Sequence, residues 1–129
     1  STQAKTLFPY TTLFRSCVQH AKPLVSGAAL KMDGQVAVFD TRQSEAPCYA
    51  CVFPPNQELE ETRCATMGVL APLVGIIGSM QATEALKILS GIGSSLAGQL
   101  VLFNAQFMEW QTLQTNRHMQ CPVCSAHRR

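Results

Sequence analysis

Two Cys-x-x-Cys pairs constrain this chain more than any other feature of its sequence. Cys48 and Cys51 form the first pair, and Cys121 and Cys124 form the second, about seventy positions later. Four thiolates suit Zn(II), which takes soft ligands in a tetrahedral arrangement. Because such a site keeps no open coordination position, we predict a structural zinc that ties the segment around Cys48 to the carboxyl-terminal end of the sequence.

Two disulfides or a redox-active Cys-x-x-Cys are the alternatives to zinc. The start of the sequence shows no basic segment followed by an apolar one and a small-residue cleavage site, so a secreted disulfide framework is not indicated. We expect a cytoplasmic protein, and a reducing cytoplasm disfavours disulfides. Neither pair stands in a thioredoxin-like strand-helix context, so zinc is the preferred interpretation.

The composition is that of one globular domain. Apolar residues make up 47% of the 129 residues and charged residues 14%, which permits a hydrophobic core. The formal net charge is only +2 and the basic residues are scattered, so the charge pattern is not that of a nucleic-acid-binding protein. The longest apolar run, residues 67–80, is shorter than the ~20 residues that cross a bilayer. We therefore expect neither a nucleic-acid nor a membrane partner.

The first 16 residues differ in character from the rest. The stretch "TLFPYTTLFRS" resembles translated sequencing-adapter sequence joined to a truncated gene. We therefore predict that residues 1–16 are a non-native leader and that residues 17–129 form the domain.

Short strands surround a long loop. The runs "KPLVSGAAL" and "QVAVFD" predict an antiparallel hairpin with Asp33-Gly34 in its turn. Residues 43–63 are rich in Pro, Glu, Gln and Asn and predict a long loop that begins near the first cysteine pair. Two further strands are expected in "GQLVLFNA" and "EWQTLQT".

A single long helix is predicted from Pro72 to Gly91, because proline suits a first helical turn and glycine suits a left-handed cap. The first half of this helix is apolar on every side, so we expect it to be buried all round. Gly75 and Gly78 would let another backbone approach closely. The predicted fold class is α/β, with a mixed sheet, a buried central helix and a zinc-stapled terminus.

The ordered combination of "CYACVFPP", "CATMGVLAPLVGIIGSMQATEALKILSG", "LVLFNA" and "CPVC" resembles a known family. It is similar to the carboxyl-terminal half of the ubiquitin-activating-enzyme-like adenylyltransferases, the ThiF, MoeB and HesA group, from about Cys17 to Cys124. The resemblance implies half of a ThiF-type Rossmann-like fold. The short runs "NQE", "LSGI" and "EW" favour ThiF, the thiamine-pathway member, over MoeB, the molybdopterin one.

The resemblance also implies a reaction and its partners. Family members use ATP and magnesium to adenylate the carboxyl-terminal Gly-Gly of a ubiquitin-like sulfur carrier, ThiS-like or MoaD-like, and the activated tail becomes a thiocarboxylate. A sulfur donor protein and a homodimer belong to the same expectation. The family's Gly-rich nucleotide loop, its ATP-facing Arg and Lys, and an Asp expected near Lys5 do not occur in this sequence. We therefore expect the enzyme to be a nucleotidyltransferase in full-length form and this fragment to be inactive alone.

Cys64 is the candidate catalytic residue. It lies outside both cysteine pairs, where the resemblance places a crossover-loop cysteine that forms a sulfur-linked adduct with the carrier in ThiF-like members. The neighbouring Arg63 favours the thiolate, which is the reactive form. The alternative is an incidental loop cysteine, and Met67 stands where the family usually has a small residue.

Other thiol and polar side chains are expected to be structural. Cys17 leads into an apolar strand and is predicted to be a core thiol. His118 and His127 flank the second pair, so either could replace a cysteine ligand, but four thiolates suffice. Glu84 and Lys87, three positions apart on the helix, predict a surface ion pair.

Two other functions fit the same motifs. One is a non-catalytic module whose zinc-bound surface docks the carrier, and the other is a thiol redox or sulfur-relay protein that uses the Cys-x-x-Cys pairs themselves. Thiol reactivity of Cys64 distinguishes the first from an enzyme, and metal content distinguishes the second.

Overall fold

A computed structural model describes residues 10–54 and 68–125 of the chain. In chain order the elements are α1 Tyr10–Gln19, β1 Leu24–Leu30, β2 Asp33–Phe39, α2 Tyr49–Val52, α3 Ala71–Ser90, β3 Gln99–Asn104 and β4 Glu109–Gln114. The four predicted strands and the long helix are all present. None of the helices in these two ranges is long and apolar enough to cross a membrane.

The four strands form one sheet in the order β1-β2-β3-β4, and each strand is antiparallel to its neighbours. Parallel pairing is confined to two isolated bridges, Lys31 with Val69 and Val38 with Ala97. Helix α3 packs on β1 and β2. The prediction of an α/β fold built from a sheet and one long helix is confirmed, whereas the sheet, which was predicted to be mixed, is antiparallel in its described strands.

The β1–β2 hairpin is confirmed, but the predicted position of its turn is wrong. Leu30 pairs with Asp33, so Lys31 and Met32 make the turn, and Lys31 takes the positive φ of 56°. Gly34 lies within β2 and faces the helix, where an added Cβ would be 2.6 Å from Cδ1 of Ile77. The glycine therefore serves close packing of α3 on the sheet and not the turn.

Helix α3 is buried along one side only. Leu73 and Ile77 are 0% and 3% exposed and pack with Val36 and Phe103 of the sheet. On the sides away from the sheet the helix exposes Val74, Leu86 and other apolar side chains. This chain therefore buries the helix against the sheet and leaves its other sides exposed, and an added Cβ at Gly75 or Gly78 would meet nothing within 4 Å.

The helix ends as the sequence predicts. Gly91 takes the left-handed conformation with φ of 73°, and its N–H donates to the carbonyl oxygen of Lys87 at 2.9 Å.

The predicted ion pair between Glu84 and Lys87 forms, but Glu84 is buried and not on the surface. Its Oε1 accepts a hydrogen bond from the backbone N–H of Leu96 at 2.6 Å. The Lys87 Nζ donates to the carbonyl oxygen of Ser94 at 2.8 Å. The pair therefore fastens the segment before β3 to the helix, and a buried charge is tolerated because it is paired and hydrogen-bonded.

The opposite face of the sheet carries the first cysteine pair. Ala37, Phe39 and Leu100 are buried on this face and pack against Tyr49 and Phe53 in and after α2. The Phe39 and Tyr49 rings meet edge to face with centroids 5.7 Å apart. Short helix α2, which contains Cys51, is thereby held on the sheet.

Helix α1 overlaps the predicted leader. Phe14 and Val18 are buried, and the Phe14 ring stacks on Tyr49 with centroids 4.9 Å apart. Residues 1–9 lie outside the described part of the chain. The assignment of residues 1–16 to a non-native leader stays a prediction, although Phe14 belongs to the same buried cluster as Cys48, Cys121 and Cys124.

Leu73→Ala tests the contact between helix and sheet. We expect the substitution to lower the free energy of unfolding by about 2–5 kcal/mol, because it leaves a cavity at a fully buried position. Leu89→Ala is the matched control, since Leu89 lies on the same helix and is 84% exposed. Urea unfolding followed by circular dichroism measures both. Equal losses for the two variants would contradict this packing.

Candidate metal centre

The four cysteines of the two Cys-x-x-Cys pairs converge on one point. The Sγ atoms of Cys48, Cys51, Cys121 and Cys124 all lie within 4.8 Å of one another. Cys48 Sγ is 3.7 Å from both Cys51 Sγ and Cys121 Sγ, and Cys51 Sγ is 3.6 Å from Cys124 Sγ. Sulfurs on a tetrahedral zinc with bonds of about 2.3 Å are about 3.8 Å apart, so this set fits zinc. The predicted convergence is confirmed.

The same distances exclude disulfides in this arrangement. A disulfide requires sulfur atoms about 2.05 Å apart, far less than the separations observed here. All four side chains are free thiols.

Tight turns bring the two sulfurs of each pair to the same side. In the first pair, the N–H of Cys51 donates to the carbonyl oxygen of Cys48 at 3.1 Å, which folds the chain around the two residues between them. In the second, the N–H of Ser125 donates to the carbonyl oxygen of Cys121 at 3.1 Å. Each turn therefore places two sulfurs side by side. The first pair follows β2 and the second follows β4, and the two pairs meet where Cys48 Sγ lies 3.7 Å from Cys121 Sγ.

Apolar packing shields the site from water. Cys48 and Cys121 are 1% exposed and Cys124 is 0% exposed, and they pack with Ala50 and Val123, each of which lies inside one of the pairs. Three of the four candidate ligands are therefore removed from water, and Cys51 is half-buried.

Burial also controls the protonation of the thiols. Desolvation raises the pKa of Cys48 and of Cys51, because it disfavours the charged thiolate. Burial acts in the same direction on Cys124, but hydrogen bonds from Cys51, Cys48 and Arg117 outweigh it and lower the pKa of that thiol. The raised pKa values keep protons on Cys48 and Cys51 near neutral pH, so metal binding has to release protons and weakens as the pH falls.

The histidine alternative finds no support among the described residues. The four-cysteine group is the one cluster of three or more His, Cys, Asp or Glu side chains found in residues 10–54 and 68–125. His118 is exposed, and its Nδ1 accepts a hydrogen bond from the N–H of Gln120 at 3.1 Å. His127 lies outside the described residues.

The candidate nucleophile Cys64 and its neighbours Arg63 and Met67 also lie outside the described residues, so the role of Cys64 stays a prediction. Cys17 is part of α1 and half-buried, and desolvation raises the pKa of its thiol. A protonated, half-buried thiol agrees with the predicted core role, because the thiolate is the reactive form.

Sequence reasoning missed one residue of the site. The Arg117 Nη1 donates to the carbonyl oxygen of Ser44 at 2.8 Å, joining the two segments that lead into the cysteine pairs. The available signal was spacing, since Ser44 and Arg117 each precede the first cysteine of a pair by four positions.

A groove of about 790 Å³ opens at the other end of the sheet. Its lining includes polar side chains from the ends of three strands, Asp33, Gln35, Asn104, Glu109 and Gln111. Asn104 Nδ2 donates to Asp33 Oδ1 at 3.0 Å, which joins two of these strands. The sequence analysis predicted no cavity here.

Comparison with known proteins identifies the family. The model of the ThiF family matches residues 11–123. The chain belongs to the ThiF family. The resemblance inferred from the cysteine pairs and the helix is therefore confirmed. The similar proteins are named as adenylyltransferases, so the predicted enzyme family is confirmed as well.

Two ThiF-family relatives show how much of a longer protein this chain represents. The molybdopterin-synthase adenylyltransferase of Escherichia coli K12 is 43% identical over 108 residues, which cover 84% of this chain and 43% of that protein. The adenylyltransferase and sulfurtransferase MOCS3 of Drosophila grimshawi is 42% identical over 112 residues, covering 85% of this chain and 25% of that protein. The chain thus spans less than half of either relative.

Solved structures support the same fold. A crystal structure of E. coli MccB with ATP superposes with a TM-score of 0.69 over 91% of this chain and 37% of that one, at 14% identity. The heterocyclase TruD gives a TM-score of 0.64 over 88% of this chain at 17% identity. At such identities the likeness shows the fold alone.

The preference for a thiamine-pathway protein is not supported. It depended on three short runs, "NQE", "LSGI" and "EW", whereas the similarity to the molybdopterin-synthase enzyme extends over 108 residues. The comparisons therefore favour the MoeB-like alternative.

Elemental analysis tests the metal site. We expect about one equivalent of zinc per chain after purification under reducing conditions, because four buried thiols fit a tetrahedral ion. Cys121→Ser should lose most of the metal and unfold at lower temperature, since metal binding and folding are coupled. Cys17→Ser is the control and should retain zinc, because Cys17 lies outside the cluster. A wild-type chain that contains less than about half an equivalent of zinc would contradict this prediction.

Proposed function

We propose that this chain is the carboxyl-terminal part of a MoeB-like adenylyltransferase that activates a ubiquitin-like sulfur carrier for molybdopterin synthesis. The observation that carries the proposal is the 43% identity to the E. coli molybdopterin-synthase adenylyltransferase across 84% of the chain. The convergence of four thiols gives this segment a structural centre that suits such an enzyme.

The proposed reaction joins the carrier's carboxyl-terminal glycine to AMP. The terminal carboxylate attacks the α-phosphorus of ATP, the bond to the β-phosphate breaks, and pyrophosphate leaves. The carboxylate is a poor electrophile until AMP is attached, so the site has to hold two anions together and stabilise the charge that develops. A sulfur donor protein then supplies sulfide-level sulfur, which attacks the carbonyl carbon of the acyl adenylate, so that AMP leaves and the thiocarboxylate forms; magnesium accompanies the ATP.

The proposed contribution of this chain is positioning. No G-x-G-x-x-G or G-x-x-x-x-G-K run occurs in its sequence, so the groups that cradle phosphate have to come from elsewhere in the full-length protein. Zinc bound by Cys48, Cys51, Cys121 and Cys124 would supply a structural tie with no open position for substrate. Because Cys51 lies in α2, the same zinc would also fix the position of α2, from which the polypeptide continues towards Cys64.

A chimera tests this function. Residues 17–124 replace the matching segment of the E. coli molybdopterin-synthase adenylyltransferase, and carrier-dependent exchange of pyrophosphate into ATP is measured with a MoaD-like and with a ThiS-like carrier. We expect exchange with the MoaD-like carrier, and none from the 129-residue chain alone. The Cys48→Ser chimera should lose activity with its metal, whereas the Cys17→Ser chimera should keep it.

Two results would contradict the proposal. Preferential exchange with the ThiS-like carrier would restore the thiamine assignment. A folded, zinc-containing chimera that binds carrier without any exchange would favour the non-catalytic docking module.

Cys64→Ser tests the proposed nucleophile in the same active chimera. Adenylation needs no thiol, so we expect the rate of pyrophosphate exchange to remain unchanged. A covalent carrier adduct that reductant cleaves should disappear, because the thiolate that forms it is gone. Intact-protein mass spectrometry with carrier, ATP and sulfur donor measures the adduct, and Cys17→Ser is the matched control. An unchanged adduct in Cys64→Ser would make this cysteine a bystander.

A further inference from the structure

Strand β4 is the outer strand at one edge of the sheet. All of its residues, Glu109–Gln114, are exposed. In an antiparallel edge strand, every second residue directs its backbone N–H and C=O towards the neighbouring strand, and the residues between them direct theirs outwards. The identity of the outward residues therefore decides what this edge can pair with.

Two hydrogen bonds fix this alternation in β4. The N–H of Thr115 donates to the carbonyl oxygen of Gly98 at 2.9 Å, so Thr115 points towards the β3 side. The N–H of Ala105 donates to the carbonyl oxygen of Met32 at 2.8 Å, which turns Ala105 towards β2 and Asn104 towards β4, in agreement. In the register of β3 with β4, every second residue of β4 then points outwards. These outward residues are Trp110, Thr112 and Gln114.

The opposite edge of the sheet is covered, whereas the β4 edge is open. At β1, the carbonyl oxygen of Val25 accepts a hydrogen bond from Gln81 Nε2 at 3.3 Å. Lys31, which follows β1, donates its N–H to Gly68 at 3.0 Å and accepts from the N–H of Leu70 at 2.8 Å. Within residues 10–54 and 68–125, no hydrogen bond reaches the outward backbone groups of β4. Unpaired groups of this kind are a template for another strand.

Strand β4 also lacks the features that keep edge strands apart. Natural sheet edges are commonly protected by lysine, proline or a β-bulge. Strand β4 contains neither lysine nor proline, and its register with β3 runs without a bulge along the whole strand. Its one charged residue, Glu109, is the first residue of the strand. Trp110 and Leu113, which are 50% and 39% exposed, add apolar surface beside the open edge.

The helices leave room beside β4. Helix α3 packs on β1 and β2. Helix α2 lies on the other face, where Tyr49 and Val52 pack with Phe39 of β2 and Leu100 of β3. The described helices therefore lie over the first three strands, and another strand can approach the β4 edge without meeting them.

A second copy of β4 satisfies all the outward groups at once. A two-fold axis through Thr112, perpendicular to the sheet, sets Thr112 opposite Thr112 of the second copy and Trp110 opposite Gln114. Each such pair exchanges two hydrogen bonds, so every outward N–H and C=O of both copies is paired. Glu109 then lies opposite the uncharged Thr115 of the second copy, so no like charges are brought together.

We propose that β4 is a self-association edge, at which two copies of this chain pair their β4 strands antiparallel about Thr112 and form one continuous sheet. This inference depends neither on the zinc site nor on the adenylation reaction. Strand pairing alone buries less than the roughly 1,200 Å² of a standard interface, so we expect a reversible dimer that forms as the concentration rises.

Sedimentation velocity of the full 129-residue chain over a range of concentrations tests the dimer. Thr112→Lys should weaken association about fivefold or more, because it places two lysines directly opposite each other at the axis. Thr83→Lys is the matched control, since it makes the same substitution at an exposed position of α3. It should associate like the wild type. Circular dichroism checks that both variants fold.

Amide hydrogen exchange followed by NMR tests which groups are paired. The amides of Trp110, Thr112 and Gln114 should exchange more slowly as the concentration rises, because the second copy covers them. The amides of Gln111 and Leu113 already bond to β3 and should be protected at every concentration.

Disulfide cross-linking tests the register. Thr112→Cys should link two copies under mild oxidation, because residues of a hydrogen-bonded pair have Cα atoms about 5.5 Å apart, within disulfide reach. Gln111→Cys should not, because position 111 lies opposite position 113 of the second copy, which leaves the two Cα atoms of residue 111 about 8 Å apart. Mass spectrometry of the linked peptide identifies the cysteines.

Several outcomes would overturn the proposal. A wild-type chain that stays monomeric at every concentration would do so, as would a dimer that Thr112→Lys leaves unchanged or that Thr83→Lys weakens instead. Protection of the outward amides only after a MoaD-like carrier is added would assign this edge to the carrier. If Thr112→Lys does not fold, cross-linking decides, and a link through Gln111→Cys but not Thr112→Cys rejects the pairing. None of these results bears on zinc content or on pyrophosphate exchange by the chimera.

Discussion

The meeting of four thiols is the interaction on which the rest of this structure depends. The polypeptide after β2 and the polypeptide after β4 share no strand pairing, because β3 lies between those strands. They are brought together at Cys48 and Cys121, whose sulfurs are 3.7 Å apart. Around that contact Ala50, Val123 and the aromatic ring of Tyr49 form a small core of their own. Without a bound ion, little besides weak dispersion contacts would hold these buried thiols close to one another.

Helix α3 contributes a second, independent core on the other face of the sheet. Its contact with β2 is close because Gly34 has no side chain opposite Ile77, and Glu84 fastens the segment before β3 through the Leu96 N–H. The two cores share strands but almost no side chains, since alternate residues of β2 point to opposite faces. Val36 belongs to the helix side and Phe39 to the cysteine side. Within residues 10–54 and 68–125, the sheet therefore connects the helix to the metal centre.

Local patterns predicted what depends on local chemistry. The cysteine spacing predicted the convergent site, and Pro72 and Gly91 predicted the helix boundaries, because ligand preferences and caps act over a few residues. Asp33-Gly34 misled because a glycine that admits a neighbouring helix looks the same in sequence as one that makes a turn. The burial of Glu84 was missed because it depends on the Leu96 N–H, twelve positions away. The apolar sequence of α3 suggested more burial than the structure shows. An apolar pattern indicates which sides of a helix can be buried, but it does not show whether this chain contains the residues that would cover them. Arg117 was missed because its partner is a backbone carbonyl, which leaves no trace in the identity of Ser44.

The turn residue Lys31 has a consequence for how this family can vary in length. Its N–H donates to the Gly68 carbonyl at 3.0 Å and its carbonyl accepts from the Leu70 N–H at 2.8 Å, so the chain that enters α3 is pinned to the β1–β2 hairpin. The chain that leaves α2 is pinned by the cysteine cluster. Between two fixed points, the entropy of closing a chain rises only with the logarithm of its length, by about 0.6 kcal/mol for each doubling. Insertions and deletions between these two fixed points therefore cost the fold little, and the length of this connection can vary among relatives without disturbing either anchor.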